Sequence, residues 1–471
     1  MVAAAALLPT EARACGGFFC SATQQVNQAA ERIVFATNGD GTVTAVIEIQ
    51  YQGPAENFSW LLPISSVPQG DQIAVASNLA FQRLQLATNP QYNLVTRVEG
   101  VCDQDPAQSR SAPAAQASGS FNEEGGLNGG GVRVEASGVV GAFEYTVISL
   151  NKSLSDPADA AVEWLGKNGY DVPEGARGLL GPYLADDLFL LALRLQKGAN
   201  AGSIRPIALT YDAKLPMIPI KLTAVAANEN MGVLAWVLGN AQAVPMNYNA
   251  LELNEARINW FNAASNYNDV VAAAADDASG QGFVTEYAQP ATALQGVVWS
   301  GAEEADFNQF KSQPGATSDV VFHGASRRYA QWDGYWDVVR KYVSLPAGVT
   351  IETLQGCFDC FQGAGFQLNI KDFLAALETD VIEPARLIQD LIDSHPEVTR
   401  LYTTLSAAEM TVDPLFTFNS SLLPVSNLHT AERVIECGPG YYQSEAPWRI
   451  ELPQGGVVRE PAPQSTHLAS G

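Results

Sequence analysis

The sharpest alternation of apolar and polar positions runs from Glu31 to Pro68. Ile33, Val34 and Phe35 open a strand, Asn38-Gly39-Asp40-Gly41 supplies a turn, and Val43 to Tyr51 returns as a second strand. In the return strand Val43, Ala45, Ile47, Ile49 and Tyr51 share one parity, and Thr44, Glu48 and Gln50 the other. That pattern predicts one buried and one solvent-facing side. After Gly53-Pro54 a third apolar strand is expected over Phe58 to Ile64. Ser203 to Pro245 repeats the order of features, with Arg205, Trp236 and Val244-Pro245 answering to Arg32, Trp60 and Val67-Pro68. Two readings stand side by side: a duplicated meander, or two meanders alike in composition only.

Periodicity then predicts a helix over Ala74 to Ala87 and a strand over Tyr92 to Val98. Residues 103–131 are rich in Ser, Ala, Gln and Gly and too poor in apolar side chains to offset the entropy of ordering, so a flexible insertion is expected. Strands resume over Val132 to Leu150, and Asp156-Pro157 starts a helix that carries Trp164 and Leu165. A strand follows over Asp187 to Leu195. Further on come a helix around Val270 to Ala275 and a strand at Gly282 to Tyr287. From Glu303 the spacing turns helical, with Trp332, Tyr335, Trp336 and Val339 on one stripe and Pro384 expected to divide an amphipathic run from Lys371 to Asp393. Thr399 to Leu405 and Phe416 to Phe418 read as extended.

The fold class is therefore α+β: antiparallel β meanders, with duplication left open, and a mainly helical C-terminal region. The chain divides into a cleaved leader at 1–14, a β-rich α+β domain at 15–295 holding the insertion at 103–131, a helical region with returning strands at 296–454, and a flexible tail at 455–471.

Charge narrows the partners. Fifty acidic residues against 26 basic ones give a formal net charge of -24, with no phosphate-neutralising stripe, so no nucleic-acid partner is expected. The apolar run Val2 to Leu8, followed by Ala12-Arg13-Ala14, reads as a leader cleaved after Ala14, truncated because a basic start is missing. No other window is apolar and long enough to span a bilayer. A periplasmic or extracellular location is expected.

In that compartment the six cysteines favour disulfides. The economical local pairs are Cys15 with Cys20 and Cys357 with Cys360, leaving Cys102 for Cys437. Cys357-Phe358-Asp359-Cys360 also admits a redox site, or a zinc site completed by Cys437 and His429, and the structural disulfide is favoured over both. Of the four histidines, His323 and His429 are candidate bases, but neither stands beside a nucleophile motif. Glu48 and Glu286, acidic residues on otherwise apolar strands, are the candidate catalytic carboxylates. The turn at Asn38 to Gly41 lacks the later ligands of a calcium loop. No cofactor and no metal are expected.

The opening Ala14-Cys15-Gly16-Gly17-Phe18-Phe19-Cys20, the segments AERIVF, VTAVIEIQY, SWLLPI and GFVTEY, and VTRLYTTLSAAEMTVDPLF at 398–416 together resemble the bacterial DUF 2330 family. The resemblance implies an exported bacterial protein of unassigned function and brings no catalytic residues to carry over. The leading expectation is a non-catalytic protein that binds or scaffolds an envelope component. The alternatives are an extracytoplasmic hydrolase using Glu48 and Glu286, and a thiol oxidoreductase using Cys357 and Cys360.

Overall fold

The computed structural model describes residues 27–52, 59–103, 132–151, 156–170, 175–186, 188–196, 204–224 and 227–459. The expected leader, Cys15 and Cys20, the insertion from 104 to 131 and the tail from 460 lie outside the described residues.

The chain begins with the hairpin β1 (Asn27–Thr37) and β2 (Thr42–Gln52), closed where Asp40 Oδ1 accepts from Thr42 N at 3.0 Å. Next come β3 (Ser59–Ile64), β4 (Ile73–Val75), α1 (Asn78–Thr88) and β5 (Gln91–Glu99). Beyond the insertion lie β6 (Val132–Val140), β7 (Phe143–Leu150), α2 (Pro157–Lys167), α3 (Ala176–Ala185) and β8 (Phe189–Leu195). The middle of the chain forms β9 (Ile207–Asp212), α4 (Ile220–Thr223), β10 (Ala227–Gly239), β11 (Gln242–Pro245), β12 (Asn249–Leu251), α5 (Tyr267–Asp277) and β13 (Gly282–Pro290). A helical stretch follows: α6 (Gly301–Ser312), α7 (Ser318–Tyr329), α8 (Tyr335–Tyr342), α9 (Ile351–Cys357), α10 (Ile370–Leu377) and α11 (Glu383–Asp393), with a ribbon of β14 (Val343–Ser344) and β15 (Gln367–Leu368) between them. The chain closes with β16 (Glu397–Leu405), β17 (Phe416–Asn419), β18 (Leu428–Glu436), β19 (Trp448–Glu451) and β20 (Val457–Arg459). The architecture is α+β with mostly antiparallel sheets.

An eight-stranded sheet in the order β12-β13-β16-β10-β1-β2-β9-β4 organises the fold. The period of two divides its strands between two cores. Ile33, Phe35, Val43 and Ile47 face Trp60, Leu62, Phe143 and Leu193 of the second sheet, β3-β8-β7-β6. Val34, Val46, Trp236 and Val398 face Phe81 and Leu84 of α1 and Ile388 and Ile392 of α11. Both faces are thus covered, which corrects the expectation of a solvent-facing side on β2: Thr44 and Glu48, on its polar parity, are buried. A third sheet, β20-β19-β18-β5, packs over α5.

The stretches 31–68 and 203–245 are not structural equivalents. Trp236 lies opposite Val34 in the large sheet, whereas Trp60 lies opposite Leu193 in the second sheet. β9 and β10 are not neighbours; β9 pairs with β2 and the parallel β10 with β1, so they flank the first hairpin on its two sides. Similar composition makes similar strands, but partners are chosen by which apolar row covers which. For the same reason β3 leaves the hairpin: its Trp60, Leu62 and Ile64 cover the hairpin's face instead of extending its edge.

The run from Lys371 to Asp393 is divided into two α-helices as expected: Pro384 sits in the first turn of α11, and the chain reaches it from α10 through a π-helical turn over Glu378–Ile382. A proline there leaves the carbonyl four residues earlier without its helical donor. That carbonyl, Asp380 O, accepts from Arg205 Nη1 at 2.8 Å instead. At the other end, Val457–Arg459, expected to fray, pairs with β19.

Candidate functional site

The polar parity of the large sheet carries a row of buried charges beneath α1. Glu48 on β2 lies directly opposite Arg32 on β1, and the pair meets at 2.6 Å between Oε2 and Nε. Arg32 Nη1 continues to Gln85 Oε1 of α1 at 2.5 Å. Two strands away, Arg400 of β16 donates from Nε to Glu286 Oε2 of β13 at 2.5 Å and from Nη1 to Thr88 Oγ1 at 3.1 Å and to Gln85 O at 3.3 Å. Thr88 Oγ1 also accepts from Trp236 Nε1 at 3.0 Å, and the Arg400 guanidinium lies 5.5 Å from the centroid of that indole. Gln85 and Thr88 are one turn apart on α1, so one helix face serves both arginines. The helix is held in place at its start, where Asp333 Oδ2 accepts from Ser77 Oγ at 2.5 Å and from Leu79 N at 3.1 Å.

Glu286 reaches this row through a bulge: Thr285 pairs with Leu401 and Tyr287 with Arg400, leaving Glu286 the extra residue. Bulges re-aim side chains in this way. Its Oε1 accepts from Tyr267 Oη at 2.5 Å. Glu286 is 2% exposed and Glu48 4%, and burial raises both carboxyls, Glu48 to about 7, against the lowering influence of Arg400 and Arg32.

The structure does not bring the two candidate carboxylates together. Three strands, β1, β10 and β16, separate β2 from β13. Four strand spacings put the two glutamates roughly 19 Å apart, whereas paired carboxylates that share one scissile bond stand about 5 to 9.5 Å apart. Among the described residues, clefts open beside α11 and between α6 and α7, and neither glutamate lines these.

His429 on β18 sits across the strand pair from Tyr92 on β5, and the rings stack with centroids 4.5 Å apart. Its Nδ1 lies 2.9 Å from Oε1 of Glu255, a buried carboxylate in the turn after β12. This is an orienting contact for an imidazole, and among the described residues no Ser, Thr or Cys is bonded to the ring. His323 on α7 is buried, with both ring nitrogens unpartnered and the Asp319 and Asp359 carboxylates each 3.9 Å away.

Cys102 is bonded to Cys437, and Cys357 to Cys360. The first bridge removes Cys437 from any zinc set, and among the described residues no group of three or more His, Cys, Asp or Glu is placed to hold a metal ion. Cys357 is the last residue of α9 and the N-cap of a four-residue 3-10 turn, Phe358–Phe361, too short to carry the dipole of the long helix that lowers a thiol pKa in a redox site.

The sequence marks Glu48 and Glu286 as candidate carboxylates but gives no site role to Arg32, Arg400, Gln85 or Tyr267. The available signal was parity: Arg32 shares the row of Val34 and Ala36, and Arg400 that of Val398 and Tyr402, so each arginine stands on a face that is otherwise buried. Among the described residues no helix is long and apolar enough to cross a membrane. None of the curated proteins and none of the solved structures compared matches the chain. The profile of an uncharacterized protein family conserved in bacteria, DUF2330, matches residues 9–296, and the chain belongs to that family.

Proposed function

We propose that the protein is exported and acts as a non-catalytic binding or scaffolding component of the bacterial cell envelope. The observation that carries this reading is the disposition of Glu48 and Glu286: each is buried against its own arginine, and three strands lie between them. A hydrolase built on these carboxylates needs both beside one cleft with room for substrate. The place of Cys357 between α9 and a single 3-10 turn, instead of at the start of a long α-helix, likewise disfavours a thiol oxidoreductase. Export draws support from the two disulfides, which persist in oxidising compartments.

Co-sedimentation of the purified protein with isolated bacterial envelopes tests the reading. Saturable binding is expected, unchanged in folded Glu48→Gln and Glu286→Gln variants. Hydrolysis of envelope material by the natural chain, lost in either folded variant, overturns it.

A further inference from the structure

The outer strand of a sheet presents a row of main-chain donors and acceptors, and folded chains blunt such edges by shortness, proline or a bulge. Among the described residues almost every edge of this protein is blunted in one of these ways. β12, β4 and β20 are three residues long, β11 and β17 four, and β14 and β15 two. β3 carries Pro63, and β6 is interrupted by a bulge between Val134 and Ala136. β5 is the exception, with nine residues, no proline and no register shift.

β5 is paired along one side only, with β18. Gln91 N donates to Asn427 O at 2.7 Å, and Glu99 O accepts from Cys437 N at 2.7 Å. The odd-numbered residues of β5 therefore turn their main-chain groups toward β18. The even-numbered ones, Tyr92, Leu94, Thr96 and Val98, turn theirs to the open side. Side chains along the strand are accessible: Val95 is 48% exposed and Val98 43%, and Gln91, Asn93 and Thr96 are exposed as well. A row of free main-chain groups of this length calls for another extended strand.

The strand is complementary to a second copy of itself. Antiparallel overlap of its full length sets Val95 against Val95 on the two-fold axis. It also sets Asn93 against Arg97, Gln91 against Glu99, Leu94 against Thr96, and Tyr92 against Val98 of the second copy. Each charged side chain then faces a neutral amide, and no like charges meet across the pair. The hydrogen-bonding parity agrees. Leu94 and Thr96, which both direct main-chain groups outward, form a bonded pair, and the two Val95 residues form a non-bonded one, where side chains lie closest.

We infer that two copies of the chain pair edge to edge through β5, which joins their β20-β19-β18-β5 sheets into one continuous sheet. The contact is one strand wide, and the formal charge of -24 on each copy opposes it, so the dimer is weak and reversible. The inference does not depend on the envelope role proposed above.

Sedimentation velocity of the full chain from about 1 to about 200 µM, in about 0.15 M NaCl to screen the charge, tests it. A dimer should form across that range. Thr96→Pro removes an N–H that points to the open side, so the ladder to β18 is kept, and the dimer Kd should rise at least about tenfold. Val95→Cys should give an interchain disulfide under mild oxidation, because the two copies of this residue meet at a Cα separation of about 4.5 Å. Asn93→Cys, also at an exposed position, should not, because its counterpart lies roughly 14 Å away. A chain that remains monomeric at about 200 µM overturns the inference. So does a dimer of undiminished strength in folded Thr96→Pro, or cross-linking of Val95→Cys no greater than that of Asn93→Cys. Should Thr96→Pro fail to fold, the two cysteine variants decide the question alone.

Discussion

Glu31 offers the cleanest test of how this fold treats buried charge. It sits on β1, on the face opposite Arg32, is 5% exposed, and its Oε2 has no hydrogen-bond partner. Burial raises its carboxyl from 4.5 to about 7, and the hydrogen bond with Thr223 offsets only part of that. Between those two values the folded chain keeps a proton that the unfolded chain releases, so this group's contribution to stability is complete below pH 4.5 and is lost as pH rises to about 7. The shift corresponds to about 3 kcal/mol. Glu31→Gln keeps the shape and removes the ionisation. The stability of the variant relative to the natural chain should therefore improve by about 3 kcal/mol between about pH 4.5 and about pH 8.5, whatever constant offset the new amide introduces. Glu48, raised in the same direction, is present in both proteins and cancels in the difference. Urea denaturation at both pH values measures it. A stability difference that does not change with pH refutes the reasoning.

Arg400→Met strands Glu286 in the interior and should cost about 3 to 5 kcal/mol in chemical denaturation. Pairing it with Glu286→Leu should recover much of that loss, because the uncompensated charge is then gone. Replacing Cys102 and Cys437 by Ser opens a loop spanning 335 residues and should cost on the order of 5 kcal/mol by the chain-entropy argument. The same change at Cys357 and Cys360, only 3 residues apart, should lower the melting temperature slightly, and neither of those cysteines should be alkylated in the native protein. Gly334 has a φ of +81°, and a Cβ there would lie 2.6 Å from Arg205 Nη1 and 2.7 Å from Asp380 O. Gly334→Ala should therefore destabilise by about 1 to 3 kcal/mol in the same assay.

The local plan of this chain is written in its sequence. Period-two alternation specifies β1 and β2, and Asn38 to Gly41 specifies the turn between them, because both depend on residues close in the chain. The Asp156 cap and Pro157 start α2 for the same reason. The family is legible in short motifs, although the matched residues end at 296 and leave the 398–416 segment outside. Partner choice is not local. Nothing near Trp60 or Trp236 states that one joins the second sheet and the other the large sheet, since that depends on which apolar row covers which once the layers stack. Nor does the alternation on β2 tell a solvent-facing side from one roofed by α1 and α11. Only the packed helices put Glu48 and Glu286 out of water, and only the pairing of strands gives each an arginine, so what reads in sequence as a pair of candidate catalytic carboxylates becomes, in the tertiary structure, two separate ion pairs.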